Sequence, residues 1–455
     1  MTLSIPAPGP VFDRLAAFTL TQEAADIPAS ARARAALLLL DTLGIAAAAA
    51  PMEAGIIARN TAVALYGAGD PGQAVPILFD GRKVSIAGAG FAAASQIDNL
   101  DGHDGFNPVK GHIGVAVVPA LAALAAARPD LGGTEALAAL VIGYEVAGRA
   151  GLALHDSVSD YHTSGAWNAL GVAAMAARLR GLSADQLRHA LGIAEYHGPR
   201  SQMMREIANP TMLHDGSGMG AMVGLSAAVM AEAGFTGAPA ITLEAPEAAA
   251  HWEDLGRVWQ TGLQYIKPYP ICRWAHAPID AARALRRDHG LAPDQITGIT
   301  IRSFANAVAL YPGLPDTTSQ AQYSLAFSVA AMLTHGQVGL AQISEAGLAD
   351  PQVARLVAVT TLQTEPRHEA RFPDGRWADI EITLADGRVL KSGDHNARGG
   401  PDEPFSAEDI CTKFMSFAAP VLGQARAASI RDACLALDTG DAPFATLVDL
   451  LYAAP

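Results

Sequence analysis

From Val11 to about Ala233 the chain repeats one pattern. Long Ala- and Leu-rich segments with apolar residues at helical spacing alternate with short turns that contain Gly, Pro or Asp. Ala29 to Ala50, Gly133 to Leu154 and Gly165 to Leu179 are the clearest cases. Alanine combines the best helix propensity with a very small apolar side chain, so these segments predict helices packed closely in an all-α layer. The turn GLSADQL predicts a stop and a restart, with Gly181 ending one helix in the left-handed conformation and Ser183 capping the next.

Near Lys267 the pattern changes. After a predicted helix from Ala277 to Arg287, the segments GITIRSF at Gly298 and ADIEITLADGRVLKSG at Ala378 alternate β-branched and polar residues, the second folding back at Asp386-Gly387. Helices are predicted between them at Ala321 to Leu333 and Asp350 to Leu356, and the tail after Pro404 is helical again. At 455 residues the chain exceeds what one core usually supports. The expected fold is therefore mainly α: a large all-helical domain, residues 1–264 and 397–455, with a smaller α+β lid domain inserted at residues 265–396.

Charge and composition exclude several function classes. A formal charge of −14 and the lack of any Lys/Arg run argue against nucleic acid. The apolar stretches Ala35 to Ala50, interrupted by Asp41, and Ile113 to Ala127, which contains Pro119, are shorter than the ~18 to 20 residues of a membrane span. Arg14 is the first basic residue, so no charged region leads into an apolar one as in a secretory leader, and a cytoplasmic protein is expected. The widely spaced Cys272, Cys411 and Cys434 fit neither a disulfide framework nor a metal ligand set, so no metal is expected.

Four clusters carry chemistry. Asp98, Asp101, His103 and Asp104, followed by Lys110 and His112, concentrate carboxylates and imidazoles in an otherwise apolar region, although helix capping and solvation would explain any one of them alone. Tyr161-His162-Thr163-Ser164 opens a helix, where His162 serves either as proton carrier or as cap decoration. Residues 197 to 220 supply Arg200, Arg205 and His214 among glycines, without the Lys-Ser/Thr of a nucleotide-binding loop. In KPYPICRWAH the prolines hold an extended segment that carries Lys267, Cys272, Arg273 and His276 at the predicted domain boundary.

Read together, the motifs DTLGIA, LDGHD, GHIGVAVVPALAAL, GYEVAGR, YHTSGAWNALG, DGSGMGAMVGL, KPYPICRWAHAPIDA and GGPDEPFSAEDICTKF run in order along nearly the whole chain. As a set they resemble the MmgE/PrpD family, which includes 2-methylcitrate dehydratase, cis-aconitate decarboxylase and iminodisuccinate epimerase. The resemblance implies a helical domain with a smaller α+β domain, a homodimer, a cofactor-free site and a small polycarboxylate substrate. By motif position it marks Asp101, His112, His162 and Lys267 as site residues with His276 nearby; taken with the clusters, the first four are expected to be catalytic and Asp104, His214, Arg273, Cys272 and His276 to contact substrate. Three residues depart from the pattern. His214 stands where many relatives carry lysine, and Cys272 and Phe327 stand where decarboxylase-like members carry histidine and tyrosine.

All these reactions make or relieve negative charge at a carbon beside a carboxylate. They need a base and cationic donors around the developing enediolate. The expected activity is a cofactor-independent dehydratase of the 2-methylcitrate type, with an epimerase of a dicarboxylate, a cis-aconitate-type decarboxylase and a non-catalytic scaffold as alternatives.

Overall fold

The computed structural model describes residues 7–438 and 442–453, so part of the segment read for a leader lies outside the described residues. The fold is mainly helical. Two compact units divide the chain: one takes the chain up to Met203, His214–Ile266 and the chain from Ser406 on, and the other takes Met204–Leu213 and Lys267–Phe405.

In the first unit, helices α1 (Ala29–Ala49), α2 (Ile86–Leu100), α3 (Gly114–Ala126), α4 (Gly133–Ser157), α5 (Gly165–Arg180), α6 (Ala184–His197) and α7 (Ser217–Glu232) follow the expected pattern closely. Their interfaces are tight because they are built from alanine and glycine. A Cβ on Gly171 of α5 would lie 2.6 Å from Ala147 Cβ on α4, so only glycine allows that approach. Gly181 ends α5 at φ 69°, and Ser183 with Gln186 forms the capping box of α6, as the sequence predicts. Helix α4 alone is long and apolar enough to cross a bilayer among the described residues, but it is buried within the protein. Its Glu145 and Arg149 pair at 2.6 Å, and Glu145 also accepts from Gln260 and Thr261, which fixes the segment leading to Tyr265.

The second unit holds α8 (His276–His289), β1 (Ile296–Ser303), α9 (Leu325–His335), α10 (Pro351–Ala358), β2 (Thr360–Thr364), β3 (Trp377–Leu384), β4 (Val389–Lys391) and β5 (His395–Asn396). The sheet order is β2-β1-β3-β4, with β5 paired to β3. β1 runs antiparallel to β3 with Ile301 opposite Ile380, and the hairpin at Asp386-Gly387 has Gly387 at φ 85°. β2 pairs in parallel with β1, Ile299 opposite Thr360; its TTLQT sequence gave no clear alternation and no strand was expected there. The predicted helix at 321–333 is split at Tyr323-Ser324 into Thr318–Gln322 and α9, with Ser324 capping α9.

Chain returns to the first unit as α11 (Ala407–Leu422), capped by Ser406 and Asp409, and α12 (Gln424–Ala436). The units depart from the expected boundaries in three places, each with a bonding reason. Tyr265 stays with the first unit through paired backbone hydrogen bonds to Gly105 of 3.0 and 2.7 Å. Residues 397–405 stay with the second, where the Arg273 guanidinium holds the carbonyls of Ala397 and Arg398 and Arg398 pairs with Asp280 at 2.9 Å. Met204–Leu213 joins the second unit, where the Tyr323 hydroxyl donates to Glu206 at 3.2 Å.

Candidate active site

The loop between α2 and α3 forms the centre of the candidate site. Asp101 ends α2 in the left-handed region (φ 52°, ψ 34°), a conformation Asp tolerates better than most side chains. The chain then turns through Gly102, His103 and Asp104, pairs with Tyr265 at Gly105, and closes with Phe106 N–H on Gly111 carbonyl at 2.8 Å. Gly111 is required where it stands: a Cβ there would lie 2.5 Å from Ser164 Oγ and 2.7 Å from Trp167.

His112 is fixed on every side. Its N–H donates to Ser164 Oγ at 2.9 Å, and its carbonyl accepts from Asn168 Nδ2 at 2.9 Å. Its ring packs edge-on against His103, with centroids 4.6 Å apart. Nδ1 lies 2.7 Å from the Asp104 carbonyl, and since a carbonyl only accepts, the hydrogen-bond network assigns a proton to Nδ1. Nε2 is then the nitrogen left for chemistry, and it faces Asp215 Oδ2 at 3.4 Å. A proton held between this imidazole and this carboxyl can be given up or taken back.

The surrounding carboxyls would repel a polyanion if all were ionised. Burial, reinforced by the charge of Asp215, pushes Asp98 well above the usual carboxylate range. Burial and then Asp41 push Asp104 up to about 7. Asp98 also accepts the Ser217 N–H at 3.2 Å, at the start of α7. Both of these carboxyls therefore carry less charge near neutrality than ordinary aspartates do.

His214 is buried in the turn before α7, next to Asp215. His162 lies at the mouth of α5, bridging to Gln202, with its N–H on His155 Nε2 at 3.2 Å and its Nε2 3.5 Å from Asp160. Burial and then Lys110 bring His155 down to about 4, so it is neutral and able to accept that bond. Asp104, expected to touch substrate, is fully buried behind the loop: its carboxyl accepts from Thr42 Oγ1 at 3.2 Å and Gly114 N–H at 3.3 Å, beside Tyr144. That set of partners makes it a support and not a ligand.

In the second unit Lys267 is wholly buried at the head of the proline-bearing segment. Cys272 donates its N–H to Gln322 carbonyl at 2.8 Å. Arg273 and His276, also expected to contact substrate, brace the backbone instead: Arg273 holds two carbonyls, and His276 Nε2 lies 2.9 Å from the Ile271 carbonyl.

Sequence spacing showed no metal ligand set, but the fold does bring ionisable groups of this kind together. Asp101, His103 and His112 bring one donor atom each to within 4.8 Å of one another, a geometry open to a divalent cation. A second set, His368, Asp379 and Asp394, has its carboxylates occupied by Arg302, Arg367 and Arg371. Sequence reasoning also missed Asp215, Ser164 and Asn168 as partners of His112, since each comes from a distant helix start.

The MmgE/PrpD N-terminal domain matches residues 13–252, and the MmgE/PrpD C-terminal domain matches residues 269–439. The chain belongs to the MmgE/PrpD family. It is 28% identical over 359 residues to cis-aconitate decarboxylase of Homo sapiens, covering 73% of each chain. It is 25% identical over 457 residues to cis-aconitate decarboxylase of Aspergillus terreus, covering 91% of this chain and 90% of the relative.

Proposed function

We propose that the chain is a lyase that acts on a small polycarboxylate without a cofactor, moving a proton at the carbon beside a carboxylate. The observation that carries this reading is His112, whose Nδ1 is anchored on the Asp104 carbonyl while Nε2 faces the Asp215 carboxyl at 3.4 Å. An α-proton of a carboxylate is weakly acidic, so a base of this kind is effective only where hydrogen-bond donors stabilise the enediolate that forms. In this reading His112 carries the proton, His103 and His214 lend positive character, and Asp101 orients the imidazoles. His162 is the second proton carrier, and Lys267, by its place in the family motif KPYPICRWAH, is the group that takes a substrate carboxylate.

Within this class, dehydration of a hydroxytricarboxylate of the 2-methylcitrate kind is the first reading, since the family resemblance implies histidine and tyrosine in some decarboxylase-like members where this chain has Cys272 and Phe327. Decarboxylation is the second reading, favoured by relatives that are cis-aconitate decarboxylases. The test is turnover of 2-methylcitrate, citrate, cis-aconitate and iminodisuccinate followed by proton NMR, with His112→Asn as control. A new alkene from a hydroxy acid supports dehydration, carbon dioxide release from cis-aconitate supports the second reading, and no turnover of any of the four sinks the proposal.

A further inference from the structure

Two of the motifs that run along this chain, DTLGIA and the late ICTKF, hold none of the proton-carrying residues assigned above. They meet behind the candidate site. Asp41 and Thr42, adjacent on α1, are buried polar residues between the apolar stretches at residues 35–40 and 43–49 of that helix. Lys413 comes from α11, and its Nζ donates to Asp41 Oδ1 at 2.6 Å and to the Gly102 carbonyl at 2.7 Å. Burying an ammonium and a carboxylate costs several kcal/mol unless both are bonded well, and an apolar pair in a helix interface would serve stability at least as well. The geometry gives a different reason for the pair.

Gly102 lies between Asp101, in its left-handed conformation, and His103. Two residues on, the Asp104 carbonyl accepts from His112 Nδ1 at 2.7 Å. Thr42 takes the same turn from its other end, donating to the Asp104 carboxyl at 3.2 Å. α1 thus grips the Asp101–Asp104 turn at both ends, through Lys413 at Gly102 and directly at Asp104. We propose that Lys413, held by Asp41, is a positioning residue for the reaction: it fixes the turn whose carbonyl orients the His112 imidazole. The proposal rests on the reading of His112 as proton carrier.

The pair is nearly closed to solvent, with the Lys413 side chain 10% and the Asp41 side chain 0% exposed, so water does not substitute for a lost partner. Arg34 also faces Asp41 and Asp104, so some positive charge remains when Lys413 is removed, but Gly102 loses the donor from α11.

The test is Lys413→Met, with Lys413→Arg as the conservative variant, read by steady-state kinetics on whichever of 2-methylcitrate, citrate, cis-aconitate and iminodisuccinate the wild type turns over and by 15N NMR of histidine-labelled protein. The expected result for Lys413→Met is a kcat lowered roughly 10- to 100-fold, the cost of a misplaced catalytic group, with KM within about twofold of wild type. The His112 imidazole resonances should move away from the Nδ1-bonded signature, and Lys413→Arg should restore most of both. If the uncompensated Asp41 charge stops Lys413→Met from folding, the double variant Asp41→Asn with Lys413→Met removes it and carries the same expectation. A kcat within about twofold of wild type, or unchanged His112 resonances, overturns the proposal. If His112→Asn is fully active, the reading of the site fails, while the 15N result still decides whether Lys413 orients the imidazole.

Discussion

Asp104 offers a measurement of the site's electrostatics that does not depend on knowing the substrate. Its carboxyl is wholly buried and stands at about 7 against an ordinary 3.8, because burial, and then Asp41, disfavour the charged form. Between those values the native protein keeps a proton that the unfolded chain has released. A raised acid of this kind contributes stability that is complete below its unfolded value and is lost as pH rises toward and through its folded value. The slope is about 1.4 kcal/mol per pH unit between the two values and flattens near the folded one, so roughly 2 kcal/mol is lost between pH 5 and pH 7 from this group alone. Asp104→Asn keeps the size and one acceptor oxygen, for Thr42 or Gly114 but not both, and removes the titration. Urea unfolding of wild type and variant at half-unit steps from pH 5 to pH 8, followed by circular dichroism, should give a stability difference that shifts in favour of the variant by roughly 2 kcal/mol up to pH 7 and then levels. Titrating groups that do not interact with Asp104 cancel in that difference. A difference that stays constant with pH would refute the argument that Asp104 is held neutral.

Three further outcomes follow from the packing and the site. Gly171→Ala would gain up to about 1 kcal/mol in an open helix, but here its Cβ meets Ala147 at 2.6 Å, so overpacking should prevail and lower stability by about 1 to 3 kcal/mol; a raised melting temperature would contradict the tight α4–α5 contact. Exhaustive chelation should leave turnover unchanged, whereas a loss restored by zinc or iron would assign Asp101, His103 and His112 to a resident ion. Lys267→Met should raise KM or abolish binding, with Lys267→Arg recovering only part because a planar fork replaces a compact ammonium; full activity of Lys267→Met would remove Lys267 from the site.

Helix positions were legible in the sequence because periodicity and capping are local. Ala29–Ala49, Gly165–Arg180 and the Gly181–Ser183 turn follow from spacing and residue type alone. β2 was not legible, since TTLQT earns its place as a strand only from β1 beside it. The candidate site divides the same way. Asp101, His103 and His112 stand out as a dense run of ionisable groups in one loop, and density is visible in a sequence. Asp215, in the turn before α7, and Asn168, Asp41 and Lys413, on three separate helices, lie far apart in the sequence, and nothing local marks them until the fold brings them to that loop. Asp104, Arg273 and His276 show the converse: their types suggested ligand binding, and the fold also gives each of them hydrogen bonds within the protein that no local pattern announces.

The central claim is proton transfer at the carbon beside a carboxylate, carried by His112. Its most direct test is solvent deuterium incorporation: the enzyme turns over its polycarboxylate in heavy water, and recovered substrate and product are examined by proton and deuterium NMR, in wild type and in His112→Asn. The account predicts deuterium at the carbon adjacent to the carboxylate with wild type, and a rate of incorporation at least 100-fold lower with His112→Asn. Turnover without deuterium at that carbon, or incorporation by His112→Asn at the wild-type rate, would contradict it.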